Sequence, residues 1–526
     1  MILRRTDHEP SEAHRISRRP TGLRKLLSAL LLIALGTAGL LSYQYLFGAR
    51  EASFPPGLTP IEKAALKAER IQADELQQTI DALRRNDGSR VIWGDRFLRW
   101  TVLAYTLWKL DRGDTGIIRI MEDLMVSYYE HAWYPNVKRA PKMPFPSLIQ
   151  YFRADGTWED YWNDYKPVYA SAFLLEYYLL SSYDREWGIT NYPMLRNVAD
   201  SILNMWLPAR HQPAGYVDAS NVGGVYFVEV KNITSSVDSA MVYSSLVASA
   251  EIARQIANDM ERYDRYISYA NDLKGHFYEQ VWDWFPTAIF GANAGEAYGT
   301  AIQIGMTLPY FDGDEKIDAL RDYLVSNLRV DEQSWLLKWK PEDTSVSSRS
   351  MLAAIGLAPR YSSLAYKILD AYAQAALSND PWLLTKTDGY EGEDPIWLSG
   401  KYLLTYVFVK DRMLTGRIPF SPRLMTGDLS FETSVPVEPA DVNAAQSTMP
   451  TLSRIIDVSA NRTEHKLRYT MAGIDGQNVS VTFQLPSGAT VSCDAMRWGF
   501  IESSLTLDVT VWVVPNGRVE IIIDFA

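Results

Sequence analysis

Cysteine is nearly missing from this chain: Cys493 is the only one in 526 residues. A lone thiol excludes an internal disulfide and any multi-cysteine zinc or iron–sulfur site. The body of the chain has no basic block, and the formal net charge is -11, which argues against a nucleic-acid partner. Also lacking are a Gly-rich phosphate loop, a serine-nucleophile elbow and an Asp-x-Asp-Asp run.

Aromatic residues are abundant instead, with 16 Trp and 31 Tyr. The apolar share of 47% and charged share of 22% are ordinary for a folded protein. Near the N-terminus, Leu26–Phe47 is an uncharged run. As a helix it would be about 33 Å long, enough to cross a bilayer. Arg4, Arg5, Arg15, Arg18, Arg19, Arg24 and Lys25 precede it, so the positive-inside rule predicts a cytoplasmic segment 1–25, an anchor 26–47 and an extracytoplasmic remainder. A cleaved signal peptide is the alternative. The candidate site Phe47-Gly-Ala49 has a bulky residue where a small one is wanted, so a single-pass membrane protein is expected. Residues 48–94 read as a juxtamembrane linker followed by an amphipathic helix over Pro60 to Arg85, either a stalk or one more packed helix.

From Asp95 to Arg412 the hydrophobic period predicts about eleven helical segments. Their connections alternate between tight turns, such as Asp111-Arg-Gly113, and long loops near Ala132–Lys166, Leu207–Ser235, Asp283–Glu296, Asp331–Ser345 and Asn379–Pro395. Every second connection of antiparallel helices lies at the same end, so the long loops should share one face, the usual place for a site. A closed (α/α)6 toroid over residues 95–415 is expected rather than an open solenoid, whose two terminal repeats would need caps. Beyond it, prolines punctuate a connection and short alternating runs with Asp475-Gly476, Ser487-Gly488 and Asn516-Gly517 turns predict a small antiparallel β-sandwich over 416–526.

The long loops interleave acids with flat rings, which suits sugars: C–H faces stack on aromatics while hydroxyls bond to carboxylates. Glycosidic-bond hydrolysis needs two carboxyl groups, one to protonate the leaving oxygen and one to activate water or attack. Candidates are Glu159, Asp160 and Glu229 from the near loops against Glu391 and Glu393 from the last. Acids brought from opposing loops leave room for a water, so an inverting mechanism is expected. Trp133, Tyr151, Trp158, Trp162, Tyr226, Trp284, Trp339 and Tyr390 are the candidate sugar-binding rings. The stretch Asp388–Asp394 offers hard oxygen ligands for calcium, but in no recognised spacing, so no cofactor is expected.

Thr234-Ser-Ser-Val-Asp238-Ser-Ala-Met-Val-Tyr243, entering a small-residue helix, followed by Tyr266-Ile-Ser-Tyr-Ala270, resembles a hairpin of the six-hairpin glycosidase superfamily. That resemblance implies a toroid hydrolase, or a related lyase, on a carbohydrate substrate. A lyase or epimerase on uronic-acid polymers would use Tyr151 or His211 as base, with Lys138, Arg139 and Arg153 neutralising the substrate carboxylate. A non-catalytic glycan-binding surface protein is the third reading.

Overall fold

The computed structural model describes residues 57–94, 96–139, 145–159, 164–165, 167–213, 215–218, 227–230, 236–277, 318, 321–338, 346–347, 349–358, 361–378, 395–415, 429–434, 456–462, 466–473, 477–484, 490–493, 497–501, 506–513 and 518–524. The expected anchor Leu26–Phe47 lies outside them. Among the described residues no helix is long and apolar enough to cross a membrane.

The first helix, α1 (Pro60–Arg85), opens with a reciprocal cap. The Glu62 backbone N–H donates to Thr59 Oγ1 at 3.3 Å, while Thr59 N–H donates to Glu62 Oε2 at 2.8 Å, and Pro60 fills the first turn. Its buried positions Ile61, Ala64, Ala65, Ala68, Gln72, Leu76, Ile80 and Leu83 form one stripe at helical spacing. This settles the choice left by the sequence: α1 is not a free stalk, and the helical unit begins at Pro60 rather than Asp95.

A π-helical stretch, Arg96–Leu103, runs directly into α2 (Ala104–Asp111). Next come α3 (Ile117–Ala132), α4 (Pro167–Tyr183), the short α5 (Arg185–Thr190), α6 (Tyr192–Asn204), α7 (Ser236–Gln255) and α8 (Met260–Phe277). The described part of the helical unit ends with α9 (Ala353–Leu357), α10 (Ser362–Ser378) and α11 (Pro395–Thr415). Asp184 caps α5, accepting from the Trp187 N–H at 2.9 Å.

Burial sorts these helices into two layers. Every residue of α4 from Tyr169 to Ser182, and of α11 from Leu398 to Arg412, is buried, so these helices are covered all round. In contrast α1, α3 and α6 have one apolar stripe and one wet face. The covered helices pack on one another: α4 on α7 and on the π-helical stretch, and α11 on α2 and that same stretch. The one-sided helix α1 packs on α10 and α11. First and last hairpins therefore meet in both layers. Gln72 Nε2 donates to Ile396 O at 2.6 Å and to Ser399 Oγ at 2.7 Å, and Tyr402 OH donates to Ile61 O at 3.2 Å. The array returns on itself, as a toroid does and a solenoid does not.

Among the described residues, the connections that follow α1, α3 and α6 meet at one end. Strand β1 (Val91–Trp93), after α1, pairs with β2 (Tyr151–Arg153), between α3 and α4, with Ile92 opposite Phe152. Strand β3 (Asp164–Tyr165) pairs with β6 (Gly215–Asp218), which pairs with β7 (Phe227–Val230), both between α6 and α7. A hairpin of β4 (Trp206–Leu207) and β5 (Gln212–Pro213) precedes them. Tight turns, such as residues 112–116 and 256–259, fall at the other end.

C-terminal to α11 lie two four-stranded sheets. One has the order β9 (Ile456–Arg462), β10 (Lys466–Gly473), β15 (Arg518–Asp524), β12 (Thr490–Cys493). The other has the order β13 (Arg497–Ile501), β14 (Thr506–Val513), β11 (Gln477–Gln484), β8 (Leu429–Ser434). The expected all-antiparallel pairing is corrected at one edge: β8 runs parallel to β11, with Phe431 opposite Val481. A parallel pair needs a long crossover, and β8 and β11 are far enough apart in the chain to have one, with β9 and β10 of the other sheet between them. The strands on either side of Asp475-Gly476, β10 and β11, fall in different sheets, so the hairpin expected there is not formed.

Candidate functional site

At the rim gathered by β1 and β2, an open cleft of about 690 Å³ is lined by Gly88, Lys138, Arg139, Arg153, Asp155, Thr157, Trp158 and Glu159. Most of these residues come from the single connection between α3 and α4. Glu159 is held by Arg153, whose Nε lies 2.6 Å from Glu159 Oε2. Arg153 is itself fixed, its Nη1 donating to Gly88 O at 2.8 Å. Lys138 Nζ donates to Asp155 O at 2.7 Å. The Thr157 N–H donates to Asp155 Oδ1 at 2.9 Å. Burial works to raise the pKa of Asp155, but the Thr157 hydrogen bonds and the Lys138 charge outweigh it and hold the carboxyl below its usual value. Three cations thus face two carboxylates, leaving one positive charge, with the half-buried Trp158 ring beside them.

The expected ring and acid positions divide. Trp158 and Glu159 lie in the cleft. Trp133 does not: it is 6% exposed and stacks on Tyr129 at 5.2 Å, inside the core at the end of α3. Tyr151 is also in the core, stacked on Trp93 at 5.4 Å. For both, the sugar-binding expectation is corrected to packing: a ring with both faces covered has none to offer a pyranose. Glu229 takes a register position in β7 opposite Tyr216. Asp160, Trp162, Tyr226, Trp284, Trp339, Tyr390, Glu391, Glu393 and the Asp388–Asp394 stretch lie outside the described residues. Of the two expected lyase bases, Tyr151 is buried and His211 bonds to Asp272 at 2.9 Å.

Sequence reading missed the aromatic and cationic cluster beside the cleft. Trp93 lies 4.8 Å from Trp397, in the first turn of α11, as well as against Tyr151. The Lys401 Nζ is 5.0 Å from the Trp397 ring and 5.8 Å from that of Trp100, and the Arg99 guanidinium is 4.6 Å from Trp100. At one exposed per cent, Lys401 is stabilised by ring faces more than by water. The only sequence signal was the tryptophan at each end of one helical unit, which says nothing of their meeting.

Among the described residues, Glu176 and Glu122 are carboxyl groups pushed well up, and neither lines the cleft. Full burial pushes Glu176 in α4 up to about 8. Glu122 in α3 is pushed up to about 7 by burial and by the nearby Asp184 charge, at the opposite, tight-turn end.

No family model and no curated protein matches the chain. Solved structures similar to it include an alpha-L-rhamnosidase from Dictyoglumus thermophilum, with a TM-score of 0.49, 10% identity, and 82% of this chain and 46% of that one covered. The Streptomyces avermitilis alpha-L-rhamnosidase complexed with L-rhamnose has a TM-score of 0.42, 11% identity, and coverage of 82% and 38%. A beta-L-arabinofuranosidase from Geobacillus Stearothermophilus T6 has a TM-score of 0.31, 10% identity, and coverage of 83% and 81%. The chain spans less than half the length of either rhamnosidase.

Proposed function

We propose that this protein is a glycoside hydrolase acting on an oligo- or polysaccharide, anchored by residues 26–47 with its (α/α)6 helical unit and its β-sandwich outside the cytoplasm. The observation that carries the reading is the rim cleft, where an aromatic ring, two carboxylates and three cations face one space. Trp158 offers a stacking face to a sugar ring. Glu159, oriented by Arg153, is one carboxyl of an acid–base pair, and its partner comes from Asp160, Glu229, Glu391 or Glu393. Inversion follows if that partner stands across a water from Glu159. The positive excess of the cleft selects substrates bearing carboxylate or sulfate groups, because an exposed cation on the cleft wall attracts them and costs little desolvation.

The same three cations also favour a second reading, a lyase on uronic-acid polymers, in which they neutralise the carboxylate beside the abstracted proton. One experiment separates the two. The detergent-solubilised full chain is incubated with a panel of neutral and uronate-containing polysaccharides. New reducing ends without ultraviolet absorbance support hydrolysis, and an absorbing unsaturated product establishes the lyase. Neither product on any substrate, with binding retained, reduces the protein to a glycan-binding one.

A further inference from the structure

Outside the cleft, the rim carries a second cluster of chemistry. His211 sits between β4 and β5 with a left-handed backbone, φ 54°. Its Nδ1 lies 2.9 Å from Asp272 Oδ1 on α8. One turn further along α8, His276 Nδ1 lies 2.9 Å from the Asp272 backbone O. The two imidazoles stack face to face, with centroids 3.4 Å apart and planes within 5°.

These contacts dictate the protons. A carboxylate and a carbonyl oxygen only accept, so each histidine spends its Nδ1 proton on Asp272, and a neutral ring then has a free lone pair on Nε2. One nitrogen of each ring and one Asp272 oxygen lie within 4.8 Å of one another. The Asp272–His276 spacing places that pair on one helix face. The hairpin carrying His211 is clamped to the same helix by Trp206, packed edge-on against Tyr269 at 4.7 Å. The side chains of His211, Asp272 and His276 are each about one-third exposed, so an ion can enter from water.

We propose that His211, Asp272 and His276 form a site for a divalent transition cation, zinc foremost, that clips the connection between α6 and α7 to the end of α8. Two imidazoles with one carboxylate and an open position form a donor set that zinc favours, with nitrogen bonds of about 2.0–2.1 Å. Binding requires the stacked rings to swing into a V, because the metal must lie in both ring planes. The proposal does not depend on what the cleft binds.

The test uses the tag-free full chain in detergent, stripped with a chelator and titrated with zinc against a chromophoric competitor. One zinc per chain is expected. The double variant H211A/H276A should lose it, and D272N should weaken it about tenfold or more. His8 and His14 near the N-terminus remain in every variant, so they cannot account for a difference. Cobalt substitution of the unaltered chain should give a d–d spectrum of nitrogen and oxygen ligands, a readout that needs no variant to fold. Equal zinc binding by the wild type and the double variant, or none by the wild type, would overturn the proposal.

Discussion

Lys410 in α11 places its Nζ 2.8 Å and 3.0 Å from the two carboxylate oxygens of Asp111 at the end of α2, and the side chains are 2% and 3% exposed. Burial pushes the Asp111 carboxyl up and the Lys410 ammonium down, and their mutual contact opposes both shifts. The pair spans the seam where the covered layer closes. Lys410→Met leaves Asp111 buried and unpaired, at a cost of about 3–5 kcal/mol, while Asp111→Leu with Lys410→Met returns most of it. Urea unfolding of the three proteins checks this; a double variant no better than the single one refutes the seam role.

Gly400 is the other half of that seam. A Cβ placed on it would stand 1.9 Å from the Trp100 backbone O and 2.7 Å from its carbonyl carbon. Elsewhere in a helix, Gly→Ala stabilises by about 1 kcal/mol. Here the sign reverses, because the neighbour is backbone and cannot rotate away. Gly400→Ala should destabilise by about 2–3 kcal/mol. A rise in melting temperature would show that α11 does not lie this close to the π-helical stretch.

Glu176 makes a pH prediction. It is fully buried, and Thr106 Oγ1 lies 2.6 Å from its Oε1 and 2.9 Å from Val102 O. The Thr106 hydroxyl donates to the carboxyl and works to lower its pKa, but full burial outweighs that one bond and pushes the group up. The folded value of about 8 stands above the unfolded 4.5. Below pH 4.5 the group is protonated in both states and costs nothing. Between these values the unfolded chain loses its proton first, so stability falls by up to about 1.4 kcal/mol per pH unit. Glu176→Gln removes this slope: its melting temperature should match the wild type near pH 5 and exceed it near pH 8. Parallel curves would mean that the carboxyl is not held neutral.

How much of this was legible in the sequence follows from what each inference needed. The gathering of long connections at one rim needed only chain direction, and the β3–β6 pairing brings the first two of them together. Ring closure needed a partner for Gln72, and the buried stripe of α1 shows that something covers it without saying what. The partner is Ser399, 327 residues away. Ring roles failed for a related reason. Trp133, Tyr151 and Trp158 look alike in the sequence, yet Tyr129 covers the first and Trp93 the second, and only Trp158 lines the cleft. The cations of the cleft were legible as charges, but the Arg153–Glu159 pairing depends on a local turn.

That pairing gives the most direct check on the cleft. The side chains of Arg153 and Glu159 are 39% and 20% exposed, so solvent screens their attraction and the pair is worth about 0–1 kcal/mol of stability. Glu159→Gln should therefore leave the melting temperature within about 1 kcal/mol of the wild type. If Glu159 takes or gives a proton at the reacting bond, the same change should lower kcat by about 10²–10⁴-fold. Trp158→Ala should act differently, raising KM with a smaller change in kcat, because a stacking face binds ground and transition states alike. An unchanged kcat in Glu159→Gln would remove Glu159 from the acid–base pair and leave it as an anchor for Arg153. A fall in KM-weighted rate confined to uronate substrates in Arg153→Ala would then mark the cleft as a subsite for the substrate's charge rather than the place where the bond breaks.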